Sequence, residues 1–330
     1  MKPCSPDSQA KLSVVIPFYQ REPGILTRAL HSVLTQKGID LTKICVVIVD
    51  DESPISGKDE LANFEDFNGV DVRLLRQPNR GPAGARNLAL DQVDEDTEFV
   101  AFLDSDDQWQ PEHLRNAITA LGDEFDFYFS DFYHLNQTVS AFNRAKRINA
   151  LEHPCIRDTE YLHRYSGDML DQIITGNIIG TSTVVYRFQA SPLQRFREGF
   201  VNAGEDYLFW LDLVSKTDRI VFSSQCECNY GAGVNIYSGA GWGTEQALNR
   251  IRYELKYRKT IAAEFQLNET QTAVIRQSLH RCRMEFAREL IHRLLHGKGI
   301  SANQLSKHWR VDPLSIALLP WSALKVLLRR

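Results

Sequence analysis

Phe99-Val100-Ala101-Phe102-Leu103, Asp104-Ser105-Asp106-Asp107 and Gln108-Trp109-Gln110-Pro111 follow one another without a break. The first five residues form an apolar run rich in aromatic and branched side chains, the pattern of a strand buried on both faces. Three carboxylates arrive where that strand should stop, and Pro111 stands where a following helix takes its first residue. In an open parallel sheet, ligands bind at the carboxyl ends of the strands. Carboxylates crowded there repel one another unless a cation sits among them, and a divalent metal with oxygen ligands is the usual solution. A bare Asp-x-Asp is more often a solvated turn that caps the next helix, so its surroundings must carry the argument.

Upstream, Leu12-Ser13-Val14-Val15-Ile16 predicts a first strand stopped by Pro17. Ile25, Leu26, Ala29, Leu30, Val33 and Leu34 then recur at helical spacing. Ile44 to Val49 predicts a second buried strand ending in Asp50-Asp51-Glu52-Ser53-Pro54, and Val70 to Leu75 a third. The turn-rich Pro78-Asn79-Arg80-Gly81-Pro82 leads into a helix from about Ala83 to Val93. Downstream, a helix from Pro111 to Leu121 precedes a strand at Phe125 to Phe129. Strands alternating with helices in this way mean a mostly parallel, Rossmann-like α/β sheet with right-handed crossovers.

The chain has 330 residues, enough to bury a large core, with 43% hydrophobic and 24% charged residues, ordinary for a globular protein. A formal charge of -4 argues against a nucleic-acid partner, which would call for a basic footprint. The polar Met1–Ala10 does not resemble a signal peptide, and six scattered cysteines suit a reducing compartment. Cys226-Glu227-Cys228 is only a weak metal or redox signal, because structural zinc sites usually need C-x2-C pairs or added histidines.

Three strand ends carry polar groups. Pro17-Phe18-Tyr19-Gln20 offers a ring beside a chain kink, Asp50 and Asp51 can accept hydrogen bonds from a base or ribose, and Arg86 can grip phosphate through two N–H groups. Each has an ordinary alternative: Tyr19 as a ring at the core edge, Asp51 as a helix cap, Arg86 as a surface cation.

Val14 to Tyr19, Val49 to Ser53, Asn79 to Asn87, and Phe102 to Asp107 with Trp109 and Pro111 resemble the family 2 glycosyltransferases of the GT-A fold, over roughly residues 11 to 215. The resemblance implies that Pro17, Tyr19, Asp50, Asp51, Arg86, Asp104, Ser105 and Asp106 bind the nucleotide sugar. It also implies that Asp106 and Asp104 hold a divalent cation, Mg2+ or Mn2+. Ala203-Gly204-Glu205-Asp206 opens a helix, where acids commonly just complement the helix dipole. In the family this is the pair whose aspartate is the base, so Asp206 is expected to deprotonate the acceptor with Glu205 beside it.

Gly231 to Gly243 is a glycine-rich loop after a strand candidate at Arg219–Ser223, and a loop this long is more often functional than not. Asn235, Tyr237 and Trp242 are its lid or acceptor candidates, with Asp107 and Trp109 nearby in the acidic motif. The Gly-Val-Asn-Ile-Tyr segment, with Tyr19 to Leu26 and Asp50 to Pro54, looks like bacterial glucosyltransferases that extend the succinoglycan repeat. That likeness implies a UDP-sugar donor, UDP-glucose, and a lipid-linked saccharide acceptor. It implies a cytoplasmic enzyme, peripheral at the inner face of the membrane.

Residues 1–243 are expected to form the transferase domain, 11–130 on the nucleotide-sugar side and 131–243 on the acceptor side, and 244–330 a helical extension. Asn177 to Tyr186 is a strand candidate in the acceptor half. In the extension, Ile275, Leu279, Cys282, Phe286, Leu290 and Leu294 mark a long amphipathic helix. The tail Pro313–Arg330 is apolar with a basic end, too short and too interrupted at Pro320 to span a bilayer, but suited either to packing or to lying in a membrane interface. Two other classes fit an α/β layer with acids. A sugar-phosphate nucleotidyltransferase would release pyrophosphate, and this chain has no glycine-rich basic turn after its first strand. A non-catalytic assembly subunit would turn over no nucleotide sugar.

Overall fold

A computed structural model describes residues 10–135, 137–200, 204–232, 241 and 243–328. In chain order the elements are β1 (Leu12–Phe18), α1 (Ile25–Leu34), β2 (Ile44–Asp50), α2 (Gly57–Leu61), β3 (Asp71–Arg76), α3 (Gly81–Leu90) and β4 (Phe99–Phe102). Then come β5 (Gln108–Trp109), α4 (His113–Leu121), β6 (Phe127–Tyr133), α5 (Ala141–Ala145), β7 (Leu162–Arg164), α6 (Met169–Gly176) and β8 (Val185–Arg187). The remainder is α7 (Glu205–Val214), β9 (Ile220–Asn229), α8 (Glu245–Glu264), α9 (Glu269–Leu295), α10 (Ala302–Val311), α11 (Pro313–Ala317) and α12 (Leu319–Leu328).

Strands β3, β2, β1 and β4 lie side by side and parallel. All seven residues of β1 are buried, as an apolar run covered by helices on both faces must be. Beyond β4 the sheet becomes mixed. β8 runs antiparallel to both β4 and β6, β6 runs parallel to β9, and β5 and β7 pair antiparallel with β9. Pro17 does not stop β1 but lies within it, paired with Val49. The ladder to β4 ends at Val15 opposite Phe102, so Pro17 lies beyond that side's ladder. The expected strand over 177–186 shrinks to Val185–Arg187, because Thr181–Thr183 coils into a single 3-10 turn. The strand expected at 219–223 extends instead to Asn229 and takes in the two cysteines.

The chain forms two compact units, Met1–Glu198 with Phe209–Val234 and Gly199–Leu208 with Asn235–Arg330. In the first, Phe102 stacks on Tyr186 (centroids 5.8 Å apart) and meets Phe196, Phe209 and Trp210 edge-on at 5.3 to 5.8 Å. Each such buried ring contributes about 1.5–3 kcal/mol, and this cluster fixes the strand that leads into the acidic motif. In the second, Leu248, Ile251 and Leu255 of α8 pack with Cys282, Phe286 and Leu290 of α9. Among the described residues, no helix is long and apolar enough to cross a membrane.

Candidate active site

The carboxyl ends of β1, β2 and β4 and the start of α3 bring one group of polar side chains together. Ser53 Oγ ties the first two ends: it accepts from the Gln20 backbone N–H at 2.8 Å and donates to the Gln20 carbonyl at 3.0 Å. The Gln20 side-chain amide then donates to Ser105 Oγ at 3.0 Å, linking β1 to the acidic motif. Tyr19, between these anchors, is half-buried.

The two aspartates after β2 do different work. Asp50 accepts from the backbone N–H groups of Ser53 (2.8 Å) and Gly57 (3.0 Å), one on each oxygen, so it builds the turn into α2. Asp51 accepts from the Gln77 amide (2.7 Å) and from the N–H groups of Arg80 (2.9 Å) and Gly81 (2.8 Å). That fastens the end of β2 to the start of α3, where an acid complements the exposed N–H groups.

On α3, Arg86 is buried and donates to Asp104 at 2.6 Å, and its guanidinium lies 5.2 Å from the Phe196 ring centroid. Asp104 is partly exposed, its side chain 27% accessible. Asp106 is half-buried and Ser105 buried. Asp107 is turned inward: one oxygen accepts from Ser182 Oγ at 2.5 Å and the other from the Gly231 N–H at 2.9 Å. Burial pushes its carboxyl well above the usual range, and the charges of Asp106 and Asp104 push the same way.

Trp109, expected near an acceptor or lid, is buried in the core, where its indole N–H donates to the Ser182 carbonyl at 2.5 Å. Its ring lies 4.7 Å from that of His113. Asp107 and Trp109 thus brace the acidic motif from below, both through the turn at Ser182. Asn235, Tyr237 and Trp242 lie outside the described residues.

A second cluster escaped the sequence reading. Glu227 on β9 is buried and accepts from the Asn116 amide (2.8 Å), the Tyr128 hydroxyl (2.6 Å) and His113 Nδ1 (3.0 Å). The signal available was an acid inside an apolar strand, flanked by cysteines; both are free thiols. Among the described residues no group of three or more His, Cys, Asp or Glu is arranged as a metal cage.

In the other unit, Gly204 precedes α7 with a φ of 92°, and a Cβ there would stand 2.6 Å from the Tyr257 ring, so the helix can start only on glycine. Glu205 and Asp206 occupy the first turn and are half-buried, and Asp206 accepts from the Tyr207 N–H at 2.8 Å.

Residues 13–190 match the family described as Glycosyl transferase family 2. The chain belongs to that family. It is a glycosyltransferase, and its sheet and flanking helices are those of the GT-A fold. It is 37% identical over 235 residues to the succinoglycan biosynthesis protein ExoW of Rhizobium meliloti, covering 69% of this chain and 71% of that one. Among solved structures it resembles S. aureus TarS 1-349 in complex with UDP-GlcNAc (TM-score 0.57, 20% identity, 94% of this chain and 82% of that one). Of a longer TarS chain it spans 43%. It also resembles the mannosyltransferase PcManGT of Pyrobaculum calidifontis in complex with GDP-Man and Mn2+ (TM-score 0.58, 14% identity, 98% and 88%).

Proposed function

We propose that this glycosyltransferase uses a divalent metal to move a hexose with inversion, glucose from UDP-glucose, onto a lipid-linked oligosaccharide in exopolysaccharide assembly. The observation that supports the reading is that Asp51 follows β2 and Asp104 and Asp106 follow β4, at the carboxyl ends of strands in one parallel sheet, where open sheets bind ligands, with Arg86 paired to Asp104. Kinship with ExoW supports the exopolysaccharide setting. Residues 1–243 are assigned to catalysis and 244–330 to a helical extension at the inner face of the cytoplasmic membrane.

Asp107 already accepts from protein donors on both oxygens, which leaves the partly exposed Asp104 and the half-buried Asp106 as the carboxylates that would hold a hard cation. Asp106 and Asp104 are therefore the assigned ligands. A divalent ion held by these two carboxylates, Mg2+ or Mn2+, would supply charge neutralisation for the departing diphosphate. Tyr19 and Asp51 take the base, Arg86 and Ser105 the ribose-diphosphate side. Asp206 takes the proton of the acceptor hydroxyl, with Glu205 orienting the acceptor. The oxygen bonds to the anomeric carbon as the bond to the β-phosphate oxygen breaks, and UDP leaves with that electron pair.

Thermal shifts with a panel of nucleotide sugars, with and without Mn2+, identify the donor, because a matched ligand stabilises by mass action. Asp106→Ala should abolish metal-dependent stabilisation. Asp206→Asn should keep donor binding and lose transfer; near-normal transfer by that variant would remove Asp206 as the base.

A further inference from the structure

Twelve large apolar side chains are exposed among the described residues, and seven of them fall between positions 294 and 324. The concentration comes with an inversion. Along α11 and α12, Ser315 and Ser322 are buried at 1% and 4% exposure, while Leu314, Leu318, Trp321 and Leu324 are 42% to 59% exposed. In water the opposite arrangement is favoured, since burying one Leu side chain is worth about 1.5–3 kcal/mol. Ile316 and Leu319 pack in part on the α8–α9 core. Buried Asp312 pins the start of α11, accepting from the Ser315 N–H and hydroxyl and from Arg283 at 2.8 and 2.9 Å. The outward apolar face is therefore held in place by the fold.

Its charge says what covers it. From His296 to Arg330 the chain carries six Lys or Arg and a single acid, Asp312, which is buried and paired. A segment so basic, in a chain whose net charge is -4, is complementary to an anionic surface. Leu314, Leu318, Trp321 and Lys325 recur at helical spacing, and the Lys325 ammonium stands 5.1 Å from the Trp321 ring centroid. Indole and lysine beside leucine is the composition of a helix lying at headgroup level, stems in the apolar boundary and charges among phosphates. A second copy is a poor occupant, because two such faces would oppose like charges.

We infer that the outward face of α11 and α12, centred on Leu318 and Trp321, docks the protein on a bilayer containing anionic lipids. The inference names the surface behind the membrane location proposed above, and it does not depend on the transfer chemistry. The test is flotation of the full-length protein with vesicles of phosphatidylcholine alone or with added phosphatidylglycerol. Binding is expected with the anionic vesicles and should weaken with salt. The double substitution Leu318→Glu and Trp321→Glu should lower it at least tenfold, and Lys325→Glu by about fivefold or more. Donor-induced thermal shifts serve as the control for folding and should not change. Absence of binding, or equal binding by the double variant, overturns the inference and leaves the transferase reading standing. A wild-type dimer, seen by light scattering and abolished by the same double variant, also overturns it and assigns the face to a protein contact.

Discussion

Arg86, buried on α3, reaches across 2.6 Å to Asp104 at the end of β4 and neutralises one of three crowded carboxylates. Arg86→Ala should leave that charge unbalanced. It should lower kcat/KM for the sugar nucleotide by a hundredfold or more and cost about 2 kcal/mol of stability. The second figure sits below the usual penalty for breaking a buried pair because Asp104 is 27% accessible. Arg86→Lys restores the charge but not the fork and should recover stability better than turnover. Steady-state kinetics and denaturant unfolding of both variants check this; unchanged turnover in Arg86→Ala would reduce the pair to a structural one.

Gly231 brings its backbone close against the acidic motif. A Cβ there would lie 1.7 Å from the Asp106 carbonyl oxygen, and the Gly231 N–H also serves Asp107. Gly231→Ala must push the end of β9 away from Asp106, at about 1–3 kcal/mol for the overpacking. It should eliminate Mn2+-dependent stabilisation by the donor while leaving far-UV circular dichroism native. Gly299→Ala, with nothing within 4 Å of the added carbon among the described residues, is the matched control and should be silent in the same thermal-shift measurement.

The parallel half was readable because doubly buried strands are unbroken apolar runs, as at Val14–Ile16, Ile44–Val49 and Phe99–Phe102. Composition could not separate strand from buried turn at Thr181–Thr183, since Thr and Val suit both once they are covered. That turn is what aims Ser182 at Asp107 and its carbonyl at Trp109. Trp109, expected near an acceptor or lid, is held in the core by a partner 73 residues away that no local pattern announces. Glu227 was hidden more deeply, because His113, Asn116 and Tyr128 are 99 to 114 residues from it and no local pattern announces their meeting.

Glu227 accepts three hydrogen bonds in a buried site, so removing its side chain strands every donor at once. Glu227→Ala should cost about 3–5 kcal/mol, in the range for an uncompensated buried group. Glu227→Gln keeps the shape but turns an amide N–H₂ toward one of the donors, and should cost about 1–3 kcal/mol. Urea unfolding gives both numbers. Donor affinity per folded molecule should stay near wild type, because none of the three partners is a nucleotide-side residue; a selective loss of affinity at full stability would place Glu227 in the site instead.

The helical unit should weaken in mild acid through His308. Its ring stacks flat on Phe286, centroids 3.7 Å apart, and burial holds its pKa down to about 4 despite the charge of Asp312, with Arg252 acting in the same direction as burial. Between that value and the ordinary 6.5, the unfolded chain binds a proton that the folded ring refuses, so stability rises with pH across this window and is lost as pH falls through it. From pH 7 to pH 5 the loss should be about 2 kcal/mol, read as faster hydrogen exchange of α10 amides after correction for intrinsic rates. His308→Gln removes the titrating group and should flatten that pH dependence, whatever its cost at pH 7. A slope unchanged in His308→Gln would mean that another group carries it.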